Sequence, residues 1–168
     1  MEPKQEKRPA TRAEARALSH PLRLRILRLC LDEALTNREL GERLDVQPAT
    51  VLYHVRTLVK QGFLVREQER RGRRRAREYP YRSTRKSLTI NLGLEGGGHL
   101  AMVDAARAEL GAVGPDAVLT MSRLGVRLPA DRLEQATGEI HDLVVNMNAA
   151  DDPDGDPVAL FVVLHRRT

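Results

Sequence analysis

Residues 37–63, NRELGERLDVQPATVLYHVRTLVKQGF, admit few folds. Leu40 and Leu44 stand four apart among Arg38, Glu39, Glu42 and Arg43, which predicts a short helix with one apolar face. Asp45, Val46 and Gln47 interrupt that pattern. Pro48 then suits the first turn of a new helix, where its missing N–H costs nothing. In the new helix Val51, Val55, Leu58 and Val59 form the apolar stripe, and Gly62 ends it. The opposite face is expected to carry Ala49, Thr50, Tyr53, His54, Thr57 and Lys60, small or hydrogen-bonding side chains without a carboxylate. Two helices joined by a tight turn, the second free of acid on its open face, suit a groove lined by phosphates.

Charge sharpens that expectation. The formal net charge of +5 conceals an asymmetry: residues 1–87 hold 22 Lys/Arg against 11 Asp/Glu, and residues 88–168 hold 6 against 12. A basic half facing a polyanion and an acidic half with other work are implied. Five aromatic residues and no Trp argue against a stacking platform for single strands. No run approaches the ~20 apolar residues a membrane span needs, and no signal-peptide pattern opens the chain, so a cytoplasmic protein is expected. Cys30, the only cysteine, lies in an apolar helix and reads as a packed small hydrophobe.

Upstream, residues 1–10 are charged, punctuated by proline and expected to fray. Thr11 can cap a helix through Leu18, and Ser19 a second one, HPLRLRILRLCL, over residues 20–31. Thr36 with Glu39 makes a capping box at the start of the helical pair. Downstream, residues 63–69 and 78–82 read as strands on either side of RRGRRRAR, six arginines in eight positions. Two strands around a basic tip, directly after a helix-turn-helix, make a wing.

The second half changes pattern. Leu88, Ile90, Leu92 and Leu94 alternate with polar residues as in a half-buried strand, and a helix follows from about His99 to Leu110, stopped by Gly111. Residues 118–128 read as a strand. Pro129 opens a long helix striped by Leu133, Ala136, Ile140, Leu143, Val144 and Met147. Residues 151–157, DDPDGDP, form a turn, and residues 158–164 should be the most buried strand of the sheet. The predicted fold class is α+β: a winged helix-turn-helix domain over residues 11–85, then a small β-α-β-α-β domain over residues 86–168.

Catalytic motifs are missing. The five histidines are scattered, there is no HExxH or P-loop, and Gly96–Gly98 lacks the spacing of a dinucleotide fingerprint. Asp152, Asp154 and Asp156 around Gly155 lack the closing Glu of a calcium loop and read as a solvated turn. No enzyme, cofactor or metal is expected. The nucleic-acid reading assigns Gln47, Ala49, Thr50, Tyr53, His54, Thr57 and Lys60 to base edges and flanking phosphates. It assigns Arg70, Arg71, Arg73, Arg74, Arg75 and Arg77 to the phosphate backbone of double-stranded DNA.

The segments ALSHPLRLRIL, residues 17–27, and ATVLYHVRTL, residues 49–58, followed by Gly62-Phe-Leu-Val65, resemble the ArsR-type winged-helix repressors of bacteria. The resemblance spans residues 17–82 and implies a dimeric transcriptional regulator, a repressor, on a near-palindromic operator. Metal-sensing members carry a Cys-x-Cys pair near the first helix of the helix-turn-helix. Here that region holds Arg38, Glu39 and Leu40, so thiolate sensing does not carry over. The second half resembles the appended domain of larger ArsR-like regulators. It is expected to hold a homodimer together and to take a small organic effector, although no convergent polar cluster marks a pocket. The reading from another class is an architectural protein that binds nucleic acid without choosing sequence.

Overall fold

The computed structural model describes residues 8–71, 77–91 and 98–167. Contacts divide the chain after Gly114, into units Met1–Gly114 and Pro115–Thr168, whereas the sequence pattern drew its boundary at residues 85–86.

The first unit begins with a two-residue strand, β1 (Arg8–Pro9), parallel to β6 (Ile90–Asn91). Residues 8–10 are therefore tied down rather than frayed; the amide of Ala10 donates to the Asn91 carbonyl at 2.8 Å. Residues 1–7 lie outside the described ones. Helix α1 (Arg12–Leu18) starts at the expected Thr11 cap, reinforced by Glu14 as a reciprocal capping box. Helix α2 (Pro21–Leu29) is capped one residue later than expected. Ser19 is already engaged closing α1, its hydroxyl donating to the Ala15 carbonyl at 2.7 Å. His20 takes over with extended backbone, Nδ1 accepting from the amide of Leu22 at 3.2 Å.

Helices α3 (Asn37–Leu44) and α4 (Pro48–Lys60) follow, α3 behind the expected Thr36–Glu39 capping box and α4 with proline at its first position. The stripe Val51, Val55 and Leu58 is buried against Leu18, Ile26, Leu27, Cys30, Leu35, Leu40 and Phe63, while Val59 stays partly exposed. Gly62, at φ 72°, turns the chain out of α4 in a conformation that a side chain disfavours.

The two expected strands then appear in short form. β2 (Leu64–Arg66) pairs antiparallel with β5 (Tyr81–Ser83), with Val65 opposite Arg82, and Leu35 bridges to Tyr81. Farther out β3 (Arg70–Arg71) pairs with β4 (Arg77–Glu78). Residues 72–76, at the arginine-rich tip, lie outside the described residues. Helices α2, α3 and α4 with this hairpin make a winged helix-turn-helix.

Of the half-buried strand expected over residues 88–94, the described part holds β6, whose Ile90 enters the core; residues 92–97 lie outside the described ones. Helix α5 (Gly98–Ala112) runs through Gly111 rather than stopping there, and packs on α1 and α2 with Ala101 and Ala105 buried.

In the second unit the long helix is present as α6 (Ala130–Ala149), with Pro129 as its N-cap. The DDPDGDP turn forms too, the amide of Gly155 donating to the Asp152 carbonyl at 3.0 Å. Among the described residues the expected sheet does not form. Residues 118–128 and 158–164 carry no strand pairing, and no described residue of this unit is buried. The expectation of 158–164 as the most buried strand is thus overturned, and with it the β-α-β-α-β layer within one chain. Apolar alternation says only which face a strand would bury. The strand itself exists once its backbone groups find a neighbour.

Candidate nucleic-acid interface

The turn between α3 and α4 depends on Asp45 and on Gly41. Asp45 closes α3 in the left-handed conformation, φ 54°, and the Val46 amide donates back to the Gly41 carbonyl at 3.0 Å. A Cβ at Gly41 would stand 2.7 Å from the Val46 carbonyl oxygen, so only glycine lets the chain turn this closely. The turn throws α4 across α3 with its N-terminal end outward. Gln47 is its N-cap and makes no side-chain capping bond, which leaves the first turn open to an external acceptor.

Gln47, Ala49, Thr50, Tyr53 and Lys60 are exposed on α4, Tyr53 at 67 %. Thr57 is half-buried, its hydroxyl donating to the Tyr53 carbonyl at 3.2 Å, so it offers an outside partner little. Arg56 is exposed as well and was not among the expected contacts. Its spacing could have found it. Ala49, Tyr53, Arg56 and Lys60 run i, i+4, i+7, i+11, a single stripe with no carboxylate.

His54 departs from expectation. It is 6 % exposed and faces the core, its ring 4.4 Å from that of His20 and its Nδ1 3.4 Å from Nη1 of Arg23. Burial, then the nearby His20 and Arg23 charges, push it down to about 4, so it is neutral at neutral pH. Arg23 also donates to the carbonyls of Arg16, at 2.8 Å, and Ala17. The pair therefore links the end of α1 to the middle of α4. His54 is thus buried beside His20 and Arg23 rather than on the exposed face of α4 where the sequence pattern placed it.

At the wing, Arg70 pairs with Glu39 and Arg77 reaches Glu69 at 3.7 Å. Arg71 is exposed. Arg73, Arg74 and Arg75 lie outside the described residues. The hairpin base is braced from below: Arg38 donates to Glu42 at 3.0 Å and to Glu78 at 3.2 Å, and the Arg66 guanidinium lies 3.5 Å over the Tyr79 ring. Arg66, exposed on β2, adds a cation to this side that the arginine run did not include.

Among the described residues no group of three or more His, Cys, Asp or Glu side chains could hold a metal ion. Cys30 is buried as expected, and burial pushes its thiol up to about 12, far from a reactive thiolate. No helix among the described residues is long and apolar enough to cross a membrane.

The three-helix core, the glycine-tight turn and the hairpin define the chain as a winged helix-turn-helix protein. A family model described as a helix-turn-helix domain matches residues 18–67, which hold α2, α3, α4 and β2. Among solved structures, reduced HlyU from Vibrio cholerae is similar: it is 22 % identical, with 58 % of this chain and 80 % of that chain covered, at a TM-score of 0.37. Among curated proteins nothing matches the sequence.

Proposed function

We propose that this chain is a transcriptional regulator of the ArsR-like kind, a repressor that binds double-stranded DNA in the cytoplasm as a homodimer on a near-palindromic operator. It is not an enzyme on this reading. The observation that carries it is the acid-free stripe Ala49, Tyr53, Arg56, Lys60 on the exposed side of α4, beside the arginine hairpin. A helix laid in the major groove presents such a face to base edges, while wing arginines neutralise phosphates alongside. Residues 11–85 supply these contacts. Residues 86–168 contribute to the homodimer and hold any small organic effector.

Footprinting on genomic fragments tests the proposal. The expected result is a discrete protected site with two half-sites about one helical turn apart. Uniform protection along every duplex would replace the regulator with an architectural protein that binds without sequence choice. A thermal-shift screen against metabolites addresses the effector, and the expected outcome is at least one compound that moves both melting temperature and operator affinity.

A further inference from the structure

We infer that residues 118–128 and 158–164 are strands of a sheet completed by a second copy of this chain, so that unit Pro115–Thr168 gains a core only in the homodimer. The inference rests on the homodimer proposed above and specifies how the two copies join.

The first observation is a missing core. Among the described residues of this unit none is buried, and only Val118, Leu133, Ala136, Gly138 and Ile140 are half-buried. A fold of this length cannot offset the entropy of ordering its chain without removing apolar surface from water. The surface to be removed is plain. Leu119, Met121, Leu124, Val126 and Leu128 are 43–83 % exposed, and the apolar run from Val158 to Leu164 is 41–56 % exposed wherever its side chains are large. At roughly 100 Å² each, these side chains present on the order of 1,000 Å², against the ~800 Å² per partner of a stable interface and the 300–600 Å² patch of an ordinary monomer.

The second observation is the backbone. Neither segment is helical or paired as a strand, and no backbone hydrogen bond joins them to each other; Arg167, just past the second segment, reaches the first through its side chain, Nη2 donating to the Val126 carbonyl at 3.4 Å. A segment apolar on both faces, such as VALFVVL, belongs at the centre of a sheet rather than on an edge. The described residues of one chain do not supply the neighbours.

Charge identifies the occupant. The two segments and the tail after them carry Arg123, Arg127, Arg166 and Arg167 and no acid, whereas α6 and the turn after it carry eight acids and one arginine. A second copy offers both signs at once, and a two-fold contact repeats each pairing twice. A nucleic acid would be repelled by the helix, and a purely acidic or purely basic protein would satisfy one half of the surface only.

The test uses the full chain. Sedimentation at tens of micromolar is expected to give twice the chain mass, with amide exchange slowed in both segments. Dilution should lose mass and protection together. Leu124→Arg and Val162→Arg, made separately, should each halve the mass. A wild-type monomer, a dimer whose amides in both segments exchange like free peptide, or a dimer indifferent to both substitutions would overturn the inference. The exchange measurement needs no variant, so a substitution that merely unfolds the unit does not obscure the answer. Duplex affinity on the same wild-type sample addresses the other reading: a protected dimer that ignores DNA keeps the sheet and removes the operator.

Discussion

Gly41 and His54 show how single residues bear on the packing of α3 and α4. Gly41→Val would drive a branched side chain into the Val46 carbonyl, and its cost should be at least the ~1–3 kcal/mol of an overpacked core site, read as a lower urea midpoint at unchanged m-value. His54 makes a pH prediction. Its folded pKa of about 4 lies below the ordinary ~6.5, so as pH falls through 6.5 the unfolded chain takes up a proton that the native protein refuses. Stability from this group is complete above pH ~6.5 and is lost as pH falls to about 4. His54→Leu should therefore flatten the stability profile across that window, measured by denaturation at a series of pH values. Glu14 acts lower on the scale. Hydrogen bonds from Arg8, Lys86 and the Thr11 amide hold its carboxyl well below the usual range, so its contribution is present above pH ~4.3 and lost on further acidification.

At the scale of elements, the proposed function divides recognition between α4 and the wing. Tyr53→Ala should flatten discrimination between operator and mutated operator by roughly 1–3 kcal/mol if the ring or hydroxyl meets a base. An equal loss on every duplex would make it a phosphate contact. The wing should behave in the opposite way. Replacing Arg73, Arg74 and Arg75 by alanine should weaken all duplexes alike and lower the slope of log K against log salt by at most ~2.7, about 0.9 per phosphate released. An unchanged slope would remove the wing from the interface. Arg70 and Arg77 begin from a different position, since each already faces a glutamate of its own chain and must exchange that partner for a phosphate. Their alanine variants should cost less affinity than Arg56→Ala, whose side chain makes no such pair among the described residues.

For the whole molecule, the placement of α5 decides where the chain can be cut. Ending it near residue 85 would remove Ile90, Ala101 and Ala105 from the core and leave the inner faces of α1 and α2 uncovered. Residues 1–114 are the better head. That fragment should unfold cooperatively and bind duplex DNA in a weak, salt-sensitive way. Without the second unit it should also lose the tight dimer, which mass in solution measures directly. A 1–114 fragment that stays a tight dimer at micromolar concentration would place the interface in the first unit.

The sequence by itself determined what depends on neighbours within a few residues. Thr11 with Glu14 and Thr36 with Glu39 cap helices because a side chain reaches a backbone amide three residues on. Pro48 and Gly62 bound α4 through their own dihedral preferences, and Val51, Val55 and Leu58 mark its buried face by helical spacing. Tertiary structure decided the rest. His54 looked exposed because it is polar, yet it stands three after Val51 and four before Leu58, and only His20 and Arg23, brought in by another helix, give it partners inside. Ser19 lost its cap to His20 because α1 had already taken its hydroxyl. Residues 118–128 and 158–164 have the alternation and apolarity of strands but no ladder, because a β-strand, unlike a helix, satisfies its backbone through a neighbouring strand that its own sequence does not contain.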